Sequence, residues 1–161
     1  MFTGEINMSY HCEIKEQTAQ HTLAIRTRTS IGNLPVVLGK TFGEIAGYLG
    51  EMGQCPAGAP YVAYHNMDMN DLDLEIGFPV AKEMPGKGDI KASMIPGGKV
   101  ATCMYQGPYE EMCVPYEALT KLVTESGYQA TGIAYETYLN SPMDTQPSEL
   151  QTLIMFPLKS A

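Results

Sequence analysis

Apolar side chains recur at helical spacing in two segments of the chain. The first stripe consists of Leu38, Phe42, Ile45 and Leu49, and the second of Met112, Tyr116, Leu119 and Val123. Both follow the spacing i, i+4, i+7 and i+11, which lies on one helix face. A glycine follows each stripe, Gly53 or Gly127, where a left-handed residue can end a helix. We predict two amphipathic helices, with Pro115 near the start of the second, because an interior proline would break it.

Strand patterns surround both helices. Residues 71–79 alternate apolar and polar side chains, which indicates a strand with one buried face. The predicted strands lie at about residues 23–29, 60–66 and 71–79 in the first half, and 99–105, 131–139 and 150–158 in the second. Each half therefore has the order strand-helix-strand-strand.

The second half resembles the first in sequence as well as in element order. The segment IAYE at residues 133–136 resembles VAYH at 62–65, and FPL at 156–158 resembles FPV at 78–80. A single half would expose the apolar face of its small sheet. Two halves packed about a pseudo-twofold axis would bury that face and leave a central cleft.

We therefore predict an α+β fold of duplicated strand-helix-strand-strand modules with an antiparallel sheet. One domain spans residues 1–161, with the first repeat at 9–81 and the second at 89–158. The glycines and prolines of the segment between the repeats are typical of a linker.

Glu136 is the pivotal candidate for chemistry, because it interrupts the otherwise apolar strand segment IAYETYL. A solvent-facing glutamate is the commoner arrangement in a strand. The functional alternative is a carboxylate framed by tyrosine rings, which would attract lipophilic cations. In an apolar cleft its pKa could also rise, which suits a general acid or base. Glu136 is thus also the one candidate catalytic residue.

Strand alternation predicts which side chains accompany Glu136. In the second half, Tyr138 and Met155 share its face, whereas Tyr135 lies with Ile154 and Phe156 on the core face. In the first half, the matching face holds His65, Met67 and Glu75.

His65 occupies the position equivalent to Glu136. It could pair with a carboxylate, titrate near neutral pH or ligate a metal, although a solvated strand histidine is commoner. Tyr105 and Tyr109 flank a Gly-Pro turn at the mouth of the cleft, and Tyr116 is assigned to the core. The candidate ligand-binding residues are Glu136, Tyr138, Met155, His65, Met67, Tyr105 and Tyr109.

Composition narrows the possible functions. Acidic residues outnumber basic ones, 18 to 10, for a formal net charge of −8. This balance argues against nonspecific binding to nucleic acid or to an anionic membrane surface. The chain has 10 tyrosines, 11 methionines and no tryptophan, which fits either an ordinary core or a pocket lined by Tyr and Met.

Processing signals and cysteine spacing indicate the compartment. The N-terminus lacks the features of a signal peptide, and no segment is long and apolar enough to span a membrane, so we expect a cytoplasmic protein. The four cysteines, Cys12, Cys55, Cys103 and Cys113, form no CxxC pair. We expect reduced, mostly buried thiols and no metal site.

Several segments together resemble the GyrI-like family, which includes the effector-binding domains of AraC-type and MerR-type multidrug regulators. They are DLEIGFPV (73–80), IPGGKVA (95–101), QGPY (106–109), YETYLNSP (135–142), SEL (148–150) and FPL (156–158). The resemblance extends over about residues 9–158. It implies a duplicated, SHS2-like fold whose cleft binds drug-like, often cationic aromatic molecules. The acidic pocket residue of the family matches Glu136. An aromatic residue common in the family is replaced by Met155.

The resemblance leaves three functions open. The first is a stand-alone protein that binds or sequesters lipophilic, cationic aromatic compounds. The second is a hydrolase of cyclopropane-bearing electrophilic toxins that uses Glu136 with Tyr138 or Tyr105, so enzymatic activity stays undecided. The third is a protein-interaction module, similar to the gyrase inhibitor of the family, with gyrase as its partner.

Expectations about partners and cofactors follow from the same reasoning. Too few residues precede the first predicted strand for a DNA-binding domain, so we expect no direct contact with DNA. No cofactor is expected, because no sequence context favours His65, His11 or His21 as a haem ligand. The sequence does not determine the oligomeric state, since an edge strand of either half could pair with another chain.

Overall fold

A computed structural model describes residues 9–159 of the chain. The prediction that no signal peptide is present concerns the N-terminal segment, of which residues 1–8 lie outside the described range. The elements are β1 (Ser9–Gln17), β2 (Gln20–Thr29), α1 (Leu34–Glu51), β3 (Tyr61–Tyr64), β4 (Leu72–Pro79), β5 (Lys91–Ile95), β6 (Gly98–Gln106), α2 (Cys113–Glu125), β7 (Ala134–Tyr138) and β8 (Gln151–Pro157). Short 3-10 helices cover Ile31–Asn33, Tyr109–Glu111 and Pro147–Glu149.

The predicted α+β class with antiparallel strand pairing is confirmed. The order strand-helix-strand-strand occurs twice, as β2-α1-β3-β4 and as β6-α2-β7-β8. One further strand precedes each set, β1 before the first and β5 before the second, and the sequence patterns missed both. Both strands lie at sheet edges. The pattern of β1 was overlooked rather than absent, because Tyr10, Cys12 and Ile14 alternate with polar residues as in a strand with one apolar face.

The described residues form two compact units. The α2 unit comprises residues 9–17 and 98–159, and the α1 unit comprises residues 18–97. β1 pairs with β6 inside the α2 unit, and β5 pairs with β2 inside the α1 unit. The borders of the units therefore differ from those of the predicted sequence repeats, because the first strand of each repeat is paired with a strand of the other repeat. The repeats themselves remain a prediction.

The α1 unit has the strand order β3-β4-β2-β5, and α1 covers one face of this sheet. Its buried cluster consists of Leu23, Ile25, Ile45, Leu49, Val80, Met84 and Ile90. Ile45 and Leu49 belong to the apolar stripe that the sequence predicts, so the helix face is as expected.

The α2 unit has the strand order β1-β6-β8-β7. Helix α2 buries Pro115, Leu119 and Val123, and it contacts β6 and β1. Pro115 lies in the first turn of α2, as predicted, where its missing N–H leaves no helical hydrogen bond unmade. Neither α1 nor α2, the two α-helices among residues 9–159, has the length and apolar composition that crossing a membrane requires.

Both helices end in the same way. Gly53 follows α1 with φ of 68°, and Gly127 follows α2 with φ of 81°. The amide of the next residue donates to a carbonyl of the last helical turn, at 2.9 Å after α1 and 3.0 Å after α2. This Schellman arrangement needs a left-handed residue, which glycine adopts without a Cβ penalty. The two predicted helix ends are thus confirmed.

We expect the substitution Gly77→Ala to destabilise the protein by about 1–3 kcal/mol. A Cβ at Gly77 would lie 2.4 Å from the carbonyl oxygen of Leu23 and 2.9 Å from the Cβ of Ala24, on the paired strand β2. Gly43→Ala is the matched control, because nothing lies within 4 Å of its added Cβ on α1. This control should raise stability by about 0.5–1 kcal/mol through helix propensity. Chemical denaturation measures both changes, and equal stability of the two variants would contradict the close approach of β4 to β2.

Candidate functional site

The carboxylate of Glu136 is buried in the α2 unit, with 8% of the residue exposed. Its strand, β7, pairs with β8 so that Glu136 lies opposite Ile154. Residues opposite each other in an antiparallel pair point to the same side of the sheet. Glu136 therefore projects from a face on which its direct neighbour is apolar, and little of the residue is exposed to solvent.

Two tyrosine hydroxyls bind the carboxylate. Tyr116 of α2 donates to Oε2 of Glu136 at 2.5 Å, and Tyr138 of β7 donates to Oε1 at 2.8 Å. Tyr138 reaches the carboxylate because residues two apart in a strand share a face. The two donors occupy different oxygens, so the plane of the carboxylate is fixed from both sides.

Tyr116 is positioned by α2 and by β8. It precedes the buried Leu119 on the helix, and its ring centroid lies 5.7 Å from that of Phe156. Sequence reasoning assigned Tyr116 to the core. The signal that could have identified it is the phenol group itself, because a buried tyrosine hydroxyl needs a hydrogen-bond partner.

Tyr109 completes an aromatic group around Glu136. It begins the 3-10 helix between β6 and α2, and its ring packs edge-on against Tyr138 with centroids 6.0 Å apart. Burial raises the pKa of Tyr109, and the negative charge of Glu136 raises it further. Tyr109 thus stays protonated near neutral pH beside the carboxylate.

The electrostatic state of Glu136 is set by two opposing effects. Burial raises its pKa above the ordinary value, and the hydrogen bonds from Tyr116 and Tyr138 partly offset this rise. Among residues 9–159, Glu136 has no ion-pair partner. The site therefore holds an acidic group with oriented lone pairs that no cation of the described chain neutralises.

Tyr105 lies on the same sheet face, in a row that crosses three strands. It is opposite Thr152 of β8, which is opposite Tyr138 of β7. The hydroxyl of Tyr105 donates to the carbonyl of Pro108 at 2.7 Å, and burial raises its pKa to about 12, with the charge of Glu111 contributing less. In this structure the Tyr105 hydroxyl therefore fixes the turn into the 3-10 helix that bears Tyr109.

Thr152 was not predicted for the site. It is fully buried, and its hydroxyl oxygen has no hydrogen-bond partner in the part of the chain that the structure describes. It adds a polar atom to the row between Tyr105 and Tyr138. A threonine in an apolar strand gives no signal of this kind in the sequence.

The predicted face of Met155 is wrong. Met155 lies opposite Tyr135, and Glu136 lies opposite Ile154. Met155 therefore shares the face of Tyr135, which is the reverse of the prediction. Met155 points to the side of the sheet away from Glu136. The cause is a difference of one residue in register, which moves every side chain of a strand to the other face.

The sequence also predicts that His65 and Glu136 lie on equivalent faces of their two sheets, and this prediction is wrong. In the α1 unit, Tyr64 lies opposite Leu74 on the side that α1 covers, and His65 therefore points away from α1. Glu136 instead lies on the side from which α2 donates a hydrogen bond. His65 shares its side with Glu75, as predicted.

Met67 and His65 belong to the α1 unit, whereas the tyrosines around Glu136 belong to the α2 unit. Met67 follows β3 in a loop and is 52% exposed. The amide of His65 donates to the carbonyl of Asp73 at 2.9 Å, which extends the pairing of β3 with β4. The structure thus brings Glu136, Tyr138, Tyr109 and Tyr105 together in one unit.

A groove of about 220 Å³ adjoins the aromatic group of the α2 unit. Val123 of α2, Phe156 of β8 and Tyr128 are among the residues that line it. Phe156 also packs against Tyr116, which donates the hydrogen bond to Glu136. Within residues 9–159, no three His, Cys, Asp or Glu side chains converge in a way that could hold a metal ion.

The sequence matches the family model of the GyrI-like small molecule binding domain over residues 10–159. The chain therefore belongs to the GyrI-like family, as its sequence motifs predict. No match was found among curated proteins.

Solved structures share the fold at low sequence identity. The C-terminal domain of EcmrR is 21% identical with a TM-score of 0.77, and the alignment covers 94% of this chain and 99% of that one. In the EcmrR–DNA complex, at 22% identity and a TM-score of 0.74, the alignment covers 94% of this chain and spans 58% of the EcmrR chain.

Two further structures extend the comparison. A hydrolase from Listeria innocua is 12% identical with a TM-score of 0.68, covering 92% of this chain and 91% of that one. SAV2435, solved bound to tetraphenylphosphonium, is 10% identical with a TM-score of 0.64, covering 93% and 94%. At these identities the similarity shows the fold alone.

We expect Glu136→Gln to stabilise the unliganded protein by about 1 kcal/mol at pH 8. Because the folded-state pKa of Glu136 is raised, the unfolded chain loses this proton first, and stability falls as pH rises between the two pKa values. Glutamine removes that loss, so the difference between variant and wild type should shrink below about pH 4. Urea denaturation at several pH values measures the effect.

The exposed Glu44→Gln serves as the control and should change stability by less than about 0.5 kcal/mol at each pH. If Glu136→Gln keeps the pH dependence of the wild type, the ionisation of Glu136 is not a source of destabilisation.

Proposed function

We propose that this protein binds lipophilic aromatic cations against the carboxylate of Glu136. The observation that supports this proposal is the buried carboxylate itself, which two tyrosine hydroxyls orient and no basic side chain of residues 9–159 pairs. An unpaired buried charge lowers stability. A bound cationic ligand pairs with the charge and removes this free-energy penalty, so the penalty in the unliganded protein favours binding.

The aromatic side chains suit the same ligand. Tyr109, Tyr116 and Tyr138 surround the carboxylate, and Phe156 backs Tyr116. A cation over a ring face gains about 0.5–2 kcal/mol from the ring quadrupole, with more when water is excluded. The rings also bury the apolar substituents of a ligand, and the groove beside Phe156 offers further apolar surface for them.

Desolvation selects the class of cation. A metal ion or a compact ammonium group is strongly hydrated and would lose that hydration beside a carboxylate that is 8% exposed. In a phosphonium or rhodamine-type cation, apolar rings shield or share the charge, so the cation is weakly hydrated. Its transfer from water to the site therefore costs less free energy. We therefore expect bulky aromatic cations to bind and small inorganic cations not to compete.

The family supports a ligand-binding role of this general kind, since the GyrI-like model describes small-molecule-binding domains. Tetraphenylphosphonium is a practical probe compound, because SAV2435 was solved with it bound. Binding of such compounds would serve to sequester or to sense them.

We expect Glu136→Gln to weaken tetraphenylphosphonium binding at least tenfold, which corresponds to about 1.4 kcal/mol or more. The substitution keeps the size of the side chain and removes its charge, so the electrostatic part of the affinity is lost. Isothermal titration calorimetry of the full chain measures the dissociation constant.

Glu75→Gln is the matched control. The Glu75 carboxylate accepts hydrogen bonds from Tyr61 and Ser93 at 2.6 Å and 3.1 Å, but it lies in the α1 unit. Its neutralisation should leave the affinity within about twofold. Triphenylphosphine oxide, a neutral molecule with similar rings, should bind equally to wild type and Glu136→Gln. Unchanged tetraphenylphosphonium affinity in Glu136→Gln would refute charge recognition by Glu136.

A hydrolase is the second candidate function, and the raised pKa of Glu136 favours it. A carboxyl group with such a pKa accepts a proton from water more readily than an ordinary glutamate. Water would add across the strained bond of a cyclopropane-bearing electrophile, with its hydroxyl joining one ring carbon and its proton returning to the other. Tyr138 could donate a hydrogen bond to the charge that develops on the opened ring.

Hydrolysis would increase the substrate mass by one water, which mass spectrometry detects. We expect any such turnover to fall at least about 100-fold in Glu136→Gln, the usual size of a lost general base, while Glu75→Gln retains it. Absence of turnover above the buffer rate across several cyclopropane-bearing alkylators would exclude this function for the compounds tested.

A further inference from the structure

Two cysteines face each other across the antiparallel pair of β1 and β6. The register places Cys12 directly opposite Cys103. Opposite residues in such a pair have Cα atoms about 4.5 Å or about 5.5 Å apart, depending on the hydrogen-bonding pattern. Both separations lie within the range of about 4.4–6.8 Å that a disulfide bridges. The backbone therefore needs no large movement to join the two sulfur atoms.

The two thiols also differ in accessibility. Cys103 is fully buried, and Cys12 is partly exposed on the edge strand. Burial raises the pKa of the Cys103 thiol, and a side-chain hydrogen bond with Cys12 raises it further. The pair thus has one thiol that a small oxidant can reach and one that stays protonated next to it.

The other two cysteines lack this arrangement. Cys55 lies in the loop after α1, and Cys113 begins α2, and both are exposed. The expectation of mostly buried thiols is therefore wrong for these two. They provide an internal comparison, because exposure alone would make them more reactive than Cys12 toward any reagent in solution.

We propose that Cys12 and Cys103 are a modification site that forms a reversible intramolecular disulfide with peroxides or with low-molecular-weight disulfides. With a peroxide, the sulfur of Cys12 displaces one oxygen as water or alcohol and becomes a sulfenic acid. The sulfur of Cys103 then attacks Cys12, the S–S bond forms, and the hydroxyl leaves as water with the proton of Cys103. Two thiols are oxidised by two electrons, and one peroxide is reduced.

The same product forms by thiol–disulfide exchange. The thiolate of Cys12 attacks a sulfur of oxidised glutathione and releases one glutathione thiolate. Cys103 loses its proton to solvent and attacks Cys12, which releases the second glutathione. Reduced glutathione or a dithiol reductant reverses both steps.

The bond would fasten an edge strand to its neighbour. β1 has only one strand partner in the α2 unit, and the whole of residues 18–97 lies between the two cysteines in sequence. A disulfide that closes so long a loop restricts the unfolded chain and stabilises the folded one. Because Glu136 lies in the same unit, oxidation would stabilise the unit that bears the site.

The test uses the full chain with Cys55→Ser and Cys113→Ser, so that only Cys12 and Cys103 remain. After treatment with hydrogen peroxide or oxidised glutathione, free thiols are alkylated and the protein is digested without reduction. We expect one cross-linked peptide pair that contains Cys12 and Cys103, no disulfide-linked dimer on a non-reducing denaturing gel, and a rise in Tm of several degrees that dithiothreitol reverses.

Cys12→Ser, added to the other two substitutions, is the control and should abolish the cross-link and the oxidant-dependent rise in Tm. Circular dichroism verifies that each variant is folded. Stable sulfenic or glutathionylated Cys12 with Cys103 still free would overturn the proposal, and so would a disulfide that joins two chains. A cross-linked protein with an unchanged or lower Tm would overturn the stabilising role of the bond.

Discussion

The removal of the Glu136 charge from water is the constraint on which the rest of the α2 unit depends. A carboxylate between β7 and the helix can exist there only if donors reach both of its oxygens. Tyr138 meets this requirement from the same strand, whereas Tyr116 meets it from α2. Tyr116 packs on Phe156, and Tyr109 packs on Tyr138, so the aromatic side chains of this unit are arranged around one acidic group.

Pairing of distant strands forms the sheet on which α2 packs. The sheet that bears Glu136 is completed by β1, a strand far away in sequence, and α2 packs on both β6 and β1. Burial of the helix stripe therefore relies on contacts between distant parts of the chain. Formation of the unit requires the closure of a long loop. The entropy lost on loop closure therefore lowers the stability of the unit and opposes the gain from packing.

The helices and their ends could be predicted from sequence because each relies on local rules. Apolar spacing identified Ile45 and Leu119, and Gly127 marked a left-handed terminus. The faces of β3, β7 and β8 could not be predicted in the same way. Their residues are buried on both sides, so apolar and polar positions do not alternate, and a shift of one residue leaves the pattern unchanged. For this reason Met155 was assigned to the wrong face, and His65 was assigned to the wrong face relative to Glu136.

The hydrogen bond from Tyr116 also makes the start of α2 sensitive to the ionisation of Glu136 on β7. Leu119 and Val123 anchor the later turns through apolar contact, which no charge modulates. The first turn is instead tied to β7 through a bond whose strength varies with the ionisation of Glu136. Local opening of this helix is therefore graded along its length. We expect amide hydrogens near Tyr116 to exchange at rates that follow the protonation of the Glu136 carboxylate, whereas those near Val123 should keep the rate of the apolar core.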